Sequence, residues 1–240
     1  MTDEYSSRLL AECGELTEKN ETSLNYAAKK LADTICSDGI IFVFGCGHSH
    51  LIALDCFYRA GGLACVQPIL KPELMLHVSA SESSRLEKNE QSAKGVLDSF
   101  ETSDKDALIV VSTSGVNGAP VQAAIEGKAK GLFVTGVGSS AYFGEKSRHS
   151  SGKILKDVCD AFLDNLAPKG DASVNLGAVT VGGVSTVLSS FLVQDLLVRA
   201  EKECLARGVV PPVFGSGNVA GNADKNAALV EKYKDRIKGL

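Results

Sequence analysis

The sequence predicts an α/β protein built on a parallel, doubly wound β-sheet. Two short runs, 40–44 and 107–111, are wholly apolar and rich in β-branched or aromatic residues. Such runs are typical of parallel strands that are buried on both faces. Segments whose apolar residues have helical spacing follow each run. Because candidate strands alternate with candidate helices along the chain, we expect the strands to run parallel within a single domain.

The first half of the chain contains a β-α-β unit. Between residues 5 and 36, apolar residues recur at spacings of three, four and seven, which predicts a long N-terminal helix or a pair of helices. After the first apolar run, we expect a helix over 49–60 that stops at a Gly-Gly pair, and a second strand over 63–70. The polar segment 71–98 does not favour one type of secondary structure.

The second half continues the alternation of strands and helices. The run 107–111 is the third strand, and the expected later elements are a helix at 119–130, a strand at 132–134, a weaker strand at 158–163, a helix at 184–207 and a helix at 225–237. The weakly polar stretch 174–193 contains three glycines and many hydroxyl residues. We therefore interpret it as a buried, glycine-opened segment and not as a membrane span.

Composition excludes several classes of protein. The 240 residues are 44% hydrophobic and 22% charged, with a net charge of −4, which is ordinary for a globular protein and unfavourable for nucleic-acid binding. Residues 1–18 are acidic and lack a basic start before an apolar stretch, so we expect no secretory signal. Seven scattered cysteines without a Cys-x-x-Cys motif indicate reduced thiols and a cytoplasmic protein.

Two turns at predicted strand ends carry the residues of chemical interest. The first is Gly45-Cys46-Gly47-His48-Ser49-His50, and the second is Ser112-Thr113-Ser114-Gly115. In an open parallel sheet, ligands bind outside the carboxyl ends of the strands, where helix N-termini present backbone N–H groups. Three hydroxyls in succession at a helix start form a neutral cradle suited to a phosphate dianion, although Ser and Thr at this position also cap helices.

Neither turn matches a nucleotide-binding motif. His50 stands where a dinucleotide fingerprint needs its third glycine, and Gln67-Pro68 follows on the second strand in place of an acidic residue. The second turn lacks the lysine of a P-loop. We therefore expect an anion site of another kind.

The two turns, about sixty residues apart, resemble the paired signatures of the sugar isomerase (SIS) domain. The similarity covers most of the chain. Residues 44–50, Phe57-Tyr58-Arg59-Ala60-Gly61-Gly62 and the pattern Pro212-Val213-Phe214-x-Ser216-x-Asn218-Val219 look most like a bacterial subfamily described, by analogy, as phosphoheptose isomerases. The resemblance implies a Rossmann-like, flavodoxin-like three-layer sandwich with a five-stranded parallel sheet. It also implies a phosphosugar ligand and a homodimer or homotetramer with sites near the subunit boundaries.

Carried over by position, the resemblance assigns the phosphate to the two turns. Gly47 and Gly115 allow close approach of the backbone, and the residues that would hold the phosphate are Ser49, Ser112, Thr113, Ser114 and Asn117. Phosphoheptose isomerases look to need a glutamate on the helix after the first turn and a histidine on the long late helix. This chain has neither, because its helix reads Leu54 to Arg59 without a glutamate and 184–207 contains no histidine.

The base for aldose–ketose isomerisation has several candidates. An enediol route needs a base near the carbon and a polar group that moves hydroxyl protons. Glu87 is the first choice among Glu82, Glu87 and Glu90, because its Ser-x-Leu-Glu context resembles a subfamily motif; the alternative is an ordinary residue of a solvated helix. His77 is the next candidate, or else a packed, hydrogen-bonded histidine.

The first turn offers one more candidate for the site. Cys46, His48 and His50 are residue types that bind zinc, but three ligands within five residues rarely converge without a distant fourth. We therefore expect no metal and no cofactor, and interpret His48 as a polar wall of the sugar site. Cys46 is interpreted as a small apolar filler beside the turn and not as a nucleophile.

Further ligand contacts are expected from Arg59, Asn218 and Asp224. Arg59 either contacts the ligand anion or pairs with Asp55 one helical turn earlier. Asn218 and Asp224 belong to a loop rich in Gly and Asn, whose residues either form turns or reach over a pocket of their own or a neighbouring subunit.

The sequence thus predicts a single SIS domain over 1–240, with an N-terminal helical extension (1–38) and a C-terminal loop and helix (211–240). Its expected function is phosphosugar binding, with aldose–ketose isomerisation through an enediol as the favoured reaction. Two alternatives stay open, a non-catalytic phosphosugar sensor that controls a partner, and an etherase or lyase that uses the same pocket. No nucleic acid or membrane partner is expected.

Overall fold

The central sheet has five strands, all parallel. The computed structural model describes residues 4–240, so residues 1–3 of the predicted N-terminal extension and of the segment examined for a signal lie outside it. The strand order is β2-β1-β3-β4-β5, which confirms the predicted fold class. The strands are β1 (Ile41–Gly45), β2 (Val66–Ile69), β3 (Ala107–Val111), β4 (Phe133–Gly138) and β5 (Ala161–Asp164).

Helices flank this sheet as the alternating pattern predicts. They are α1 (Glu4–Cys36), α2 (His50–Cys56), α3 (Ala80–Glu87), α4 (Gly118–Ala129), α5 (Leu155–Val158), α6 (Ser185–Ala206) and α7 (Asn222–Tyr233). The long helices α1 and α6 pack against each other, α2 packs on β1 and β2, and α4 packs on β3 and β4. Every residue of β1 and β3 is buried, as expected for apolar strands covered on both faces.

The helix α2 is shorter than the predicted 49–60. It ends at Cys56, and Tyr58 has a left-handed backbone with φ of 44°. Beyond this point the chain forms backbone hydrogen bonds with the late loop, from the N–H of Gly61 to the O of Phe214 and from the N–H of Phe214 to the O of Gly62. These long-range bonds replace the last helical turn, which no local pattern signals.

A two-stranded hairpin precedes α6 where the sequence predicted a buried segment. Strands β6 (Ala172–Asn175) and β7 (Thr180–Gly183) pair antiparallel, and residues 175–181 are exposed. The expectation of burial was therefore wrong for the first part of 174–193, because its glycines serve a surface hairpin. Smaller differences are a fifth strand that begins at residue 161 and not 158, and a last helix that covers 222–233 and not 225–237.

The strand order places the two sequence turns side by side. The chain leaves β1 towards β2 on one side of the sheet, whereas β3 pairs with β1 on the other side. Gly45, the last residue of β1, is paired with Val111, the last residue of β3. The turns that follow these residues therefore meet at the topological switch point, which is where open α/β sheets bind their ligands.

The C-terminus is fastened to the opposite edge of the sheet through a buried carboxylate. Asp106, just before β3, accepts hydrogen bonds from the N–H groups of Ile40 and Ser103, both at 2.7 Å. Arg236 donates to both oxygens of Asp106 at 3.0 and 3.1 Å. The N–H of Lys238 donates to the side chain of Gln67 on β2 at 2.6 Å. The final segment thus closes over the amino ends of the strands.

Among residues 4–240, no helix combines the length and the apolar character needed to cross a membrane.

Candidate functional site

The first turn brings its backbone very close to the start of α2. A Cβ atom on Gly45 would lie 2.5 Å from the carbonyl oxygen of Ser49, so only glycine fits at this position. Gly47 has a φ of 55°, a conformation that glycine adopts without strain. The N–H of Ser49 donates to the O of Cys46 at 2.9 Å, which closes the turn. The backbone of residues 45–49 is therefore compact, and Gly47 adds no side chain to it.

The second turn presents a set of hydrogen-bond donors in front of α4. Ser112 is buried, and its Oγ accepts the N–H of Gly115 at 3.3 Å. Within the described chain, the N–H groups and hydroxyls of Thr113 and Ser114 have no hydrogen-bond partner. Gly115 has a φ of 63°, which turns the chain into α4. This geometry leaves main-chain and hydroxyl donors available to an anion.

The end of β4 packs directly against the second turn. A Cβ on Gly138 would lie 2.5 Å from the carbonyl oxygen of Ser112, so the two backbones are in direct contact. The N–H of Ser139 donates to the O of Thr113 at 2.8 Å, and the hydroxyl of Ser139 donates to the O of Ala167 at 2.6 Å. These contacts engage the carbonyl oxygen of Thr113 and do not use the N–H groups of Thr113 and Ser114.

Glu87, the last residue of α3, lies between the two turns. One of its oxygens, Oε1, accepts a hydrogen bond from the Asn117 amide nitrogen at 2.8 Å. The other, Oε2, is 3.9 Å from the position that a Cβ on Gly47 would occupy. Burial raises the pKa of the Glu87 carboxyl above its ordinary value, while the hydrogen bond from Asn117 and the charges of Arg148 and Lys88 act in the opposite direction. A half-buried carboxylate with one uncommitted oxygen is suited to accept a proton.

The other two glutamates of this region face elsewhere. Glu82 pairs with Arg85 on the exposed side of α3. Glu90 accepts the N–H of Ser150 at 2.6 Å and its hydroxyl at 2.9 Å. Gly118, at the start of α4, allows this segment to approach, since a Cβ there would lie 2.5 Å from the N of Glu90. Of the three candidates, Glu87 is the one that the fold brings to both turns.

Arg148 joins the site from the loop between β4 and α5. Its guanidinium donates to the Asn117 side-chain oxygen, so Asn117 connects Arg148 to Glu87. A depression of about 320 Å³ adjoins this group and is lined by residues 88–91 and 147–150. No sequence pattern indicated a role for Arg148. In the sequence, Arg148 is marked only by its place on a loop at the carboxyl end of a strand. Several Lys and Ser residues share this loop.

The histidines of the first turn differ in their surroundings. His50 is buried, and its Nδ1 contacts the carbonyl oxygen of Gly47. His77 is exposed and its ring centroid is 5.7 Å from that of His50, so His77 lies beside the first turn. His48 is exposed at the same turn, and Ser49 is half-buried. The structure therefore places all three imidazoles near the start of α2.

The remaining features of the first turn are consistent with a small, inert thiol. Cys46 is buried, and burial raises the pKa of its thiol well above the ordinary value. A thiol of this kind is a poor nucleophile at neutral pH. In the part of the chain that the structure describes, no three His, Cys, Asp or Glu side chains are grouped so that they could hold a metal ion.

The three remaining residues predicted to contact the ligand have other hydrogen-bond partners or an exposed position. Arg59 donates to the carboxylate of Asp55, one helical turn earlier, as in the alternative interpretation of this residue. Asn218 is exposed in the late loop, and its N–H donates to the hydroxyl of Ser216 at 3.3 Å. Asp224 is exposed in the first turn of α7. No described hydrogen bond links these side chains to the second turn.

These features define an α/β protein with free hydrogen-bond donors at the switch point of its sheet. The family model described as "SIS domain" matches residues 4–139, and the chain therefore belongs to the SIS domain family. Among its relatives is the UPF0309 protein of Caldanaerobacter subterraneus subsp. tengcongensis, which is 41% identical over 100% of both chains.

Solved structures share the fold at low sequence identity. The phosphoheptose isomerase from Francisella tularensis superposes with a TM-score of 0.54 and 17% identity, covering 82% of this chain and 95% of that one. The phosphoheptose isomerase from Neisseria gonorrhoeae gives a TM-score of 0.50 and 12% identity, covering 83% of this chain and 92% of that one.

Proposed function

We propose that this protein binds a phosphorylated sugar, with the phosphate in the second turn. The observation that carries this proposal is the set of unpartnered N–H groups and hydroxyls of Thr113 and Ser114 at the start of α4. Backbone donors and the positive end of the helix dipole favour a dianion at this position. Two fold relatives support the same ligand class, since both are phosphoheptose isomerases.

We further propose that Glu87 is the base of an aldose–ketose isomerisation. With the phosphate at Thr113 and Ser114, the sugar carbons extend towards Gly47, where Oε2 of Glu87 faces the open space left by the glycine. Glu87 removes the proton from the carbon beside the carbonyl, and the enediol that forms takes this proton back at the neighbouring carbon. His48 or His77, both exposed beside the first turn, moves the proton between the hydroxyl oxygens.

Removal of the turn hydroxyls should weaken binding of sugar phosphates selectively. In Ser112→Ala/Ser114→Ala, we expect about 10- to 100-fold weaker binding, because a hydrogen bond to a charged group contributes about 1.5–3 kcal/mol. The measurement is a thermal-shift titration with hexose, heptose and amino-sugar phosphates beside their unphosphorylated counterparts, since a ligand of the native state raises the melting temperature.

The matched control is Ser81→Ala/Ser84→Ala on the exposed side of α3, which should bind as the wild type does. Ser114→Ala alone keeps the test valid if loss of the bond from Gly115 to Ser112 perturbs the turn. Equal weakening for phosphorylated and unphosphorylated sugars would contradict the phosphate role. A phosphate-dependent shift without turnover would favour a sensor over an enzyme, and release of lactate or another eliminated fragment would favour an etherase or lyase.

We also propose that the protein is a homo-oligomer in which α2 and α6 form the subunit interface. Large apolar side chains are exposed on this face, at Leu51 and Leu54 of α2 and at Val187 and Phe191 of α6. The two helices contact each other, and several exposed large apolar side chains on adjoining helices are typical of protein interfaces. Leu51 follows His50 directly, so a second subunit on this face would adjoin the first turn.

A charge on this face should therefore dissociate the oligomer. For Phe191→Asp, we expect a shift towards monomer in sedimentation analysis, because burial of a carboxylate among apolar residues is strongly unfavourable. Val210→Asp, at a position that is 81% exposed after α6, is the control and should keep the wild-type assembly. A monomeric wild-type protein, or equal effects of both variants, would contradict the proposal.

We also propose that the chain forms one SIS domain and that the protein is cytoplasmic. α1, which contacts α6 and β5, and the C-terminal loop and helix pack with the sheet as parts of one SIS domain. All seven cysteines are free thiols, which supports a reducing compartment such as the cytoplasm.

A further inference from the structure

We propose that Arg148 is a positioning residue that fixes the orientation of Asn117 and so holds Glu87 ready as the base. This inference deepens the proposed isomerisation and rests on it for its functional meaning. The structural basis is the chain of hydrogen bonds from Arg148 through the Asn117 amide to Oε1 of Glu87. Oε2 of Glu87 has no part in this chain and remains free at the Gly47 side.

The Asn117 amide can face Glu87 in two ways, and Arg148 selects one of them. A guanidinium has donors only, so it must face the amide oxygen and not the amide nitrogen. The nitrogen of Asn117 is then directed at Glu87, where it donates to Oε1 at 2.8 Å. Without Arg148 the amide could rotate and present its oxygen to the carboxyl, an arrangement that favours protonated Glu87. Arg148 thus acts on Glu87 through a group that it orients.

The loop that carries Arg148 is joined by backbone hydrogen bonds to the second turn and to the residue that follows it. The N–H of Arg148 donates to the O of Val116, and the N–H of Leu155 donates to the O of Gly115, both at 2.8 Å. Ser150 donates to Glu90, which follows Glu87 on the next turn of the chain. The backbone of this loop is therefore fixed beside the second turn, and the exposed side chain of Arg148 reaches the Asn117 amide from it.

Few other charged or titratable groups act on Glu87. Burial raises the pKa of Glu87, and the influences that lower it are Asn117, Arg148 and Lys88, of which Lys88 is its exposed neighbour in the chain. The first turn contributes Cys46, whose raised pKa keeps the thiol neutral at physiological pH. Removal of Arg148 is therefore expected to raise the pKa of Glu87 further, so that the carboxyl loses its proton only at higher pH.

The decisive experiment measures the Glu87 pKa in the ligand-free protein. Carbon-13 NMR of glutamate side chains, with the Glu87 signal assigned from its loss in Glu87→Gln, gives the pKa without any substrate. For Arg148→Gln, we expect an upward shift of about half to one pH unit, because a hydrogen bond to the charged form of a carboxyl lowers its pKa and a rotated Asn117 no longer donates one. In the background of Asn117→Ala, the same change should have less than half of this effect.

Two further variants test whether the effect requires a cation at residue 148, whereas the Asn117→Ala background separates positioning from the direct effect of charge. Arg85→Gln removes an arginine from α3 that pairs with Glu82, and it should leave the Glu87 pKa unchanged. Arg148→Lys keeps a donor for the Asn117 oxygen and should restore a pKa close to that of the wild type. The proposal would be overturned by an equal shift for Arg148→Gln with and without Asn117, or by a shift no larger than that of Arg85→Gln.

Activity adds a second, separate readout. If the isomerisation is found, Arg148→Gln should move the acidic limb of the kcat profile to higher pH and leave KM within about twofold, because uniform binding is not changed. A rise in KM with an unchanged pH profile would make Arg148 a phosphate ligand and overturn the positioning role. Failure of the proposed function would show as absent sugar-phosphate binding, whereas the NMR result concerns the free protein alone.

Discussion

Glu87→Gln should reduce the rate of sugar-phosphate isomerisation about 10²- to 10⁴-fold, which is the usual contribution of a general base. Glutamine preserves the shape of the side chain and still accepts the hydrogen bond from Asn117, but it cannot take up a proton. Binding should persist, because the change does not alter Thr113 and Ser114, to which we assign the phosphate. The measurements are kcat with the sugar phosphate that gives the largest thermal shift, and the size of that shift in the variant.

The control for this change is Glu82→Gln, which removes a carboxylate from the exposed side of the same helix. It should retain the wild-type kcat. A Glu87→Gln variant with more than a third of the wild-type rate would contradict the assignment of the base. In that case His77, beside His50 at the first turn, would be the next candidate.

Stability provides a test of Glu87 that needs no ligand. Burial raises the pKa of this carboxyl in the folded state above its value in the unfolded chain. Its contribution to stability is therefore largest at low pH and is lost as pH rises through the folded-state pKa. Glu87→Gln should have a higher melting temperature than the wild type at pH 8 and no such advantage at pH 4.

The second large effect concerns the C-terminal segment. Arg236→Ala should lower the free energy of unfolding by about 2–4 kcal/mol, because it leaves the Asp106 carboxylate buried without its counter-charge. The bonds from Ile40 and Ser103 remain, and for this reason we expect less than the full penalty of an isolated buried charge. Urea denaturation measures the change.

Arg207→Ala is the matched control for Arg236. Arg207 also has two acidic partners, Asp33 at 2.6 Å and Glu203 at 3.0 Å, but this group of charges lies at the surface. Its removal should cost about 1 kcal/mol or less. The double variant Arg236→Ala/Asp106→Asn should recover part of the loss, since a neutral amide needs no counter-charge. Equal losses for the two arginine variants would contradict the role assigned to burial.

Local patterns were sufficient to predict the sheet and the position of the two turns at its strand ends. The apolar runs at 40–44 and 107–111 became β1 and β3 within one residue, because a strand buried on both faces has no polar alternation to confuse it with a surface element. The turns after these runs were recognisable by their glycines and hydroxyls. Their proximity followed from a general property of parallel sheets, and the strand order β2-β1-β3 then placed them at adjacent strand ends.

Elements that depend on distant parts of the chain were predicted less well. The helix α2 ends at Cys56 because the chain after it forms hydrogen bonds with the loop at Phe214, more than 150 residues later. The hairpin β6–β7 lies where the sequence predicts a buried segment, because glycines and small hydroxyl residues suit both a buried segment and a surface hairpin. In each case the deciding contact is absent from the local sequence.

The sequence by itself determined the fold class, the two turns and Glu87 as the first of several carboxylates. Only the tertiary structure showed which of Glu87, Glu82 and Glu90 lies between the two turns, because the direction of each side chain depends on how this segment packs against Gly118 and Gly47. It also added Arg148, which lies on a loop without a distinctive motif and reaches Glu87 through Asn117. Hydrogen bonds between residues 30 or more positions apart depend on the packing of whole elements, and no local pattern records them.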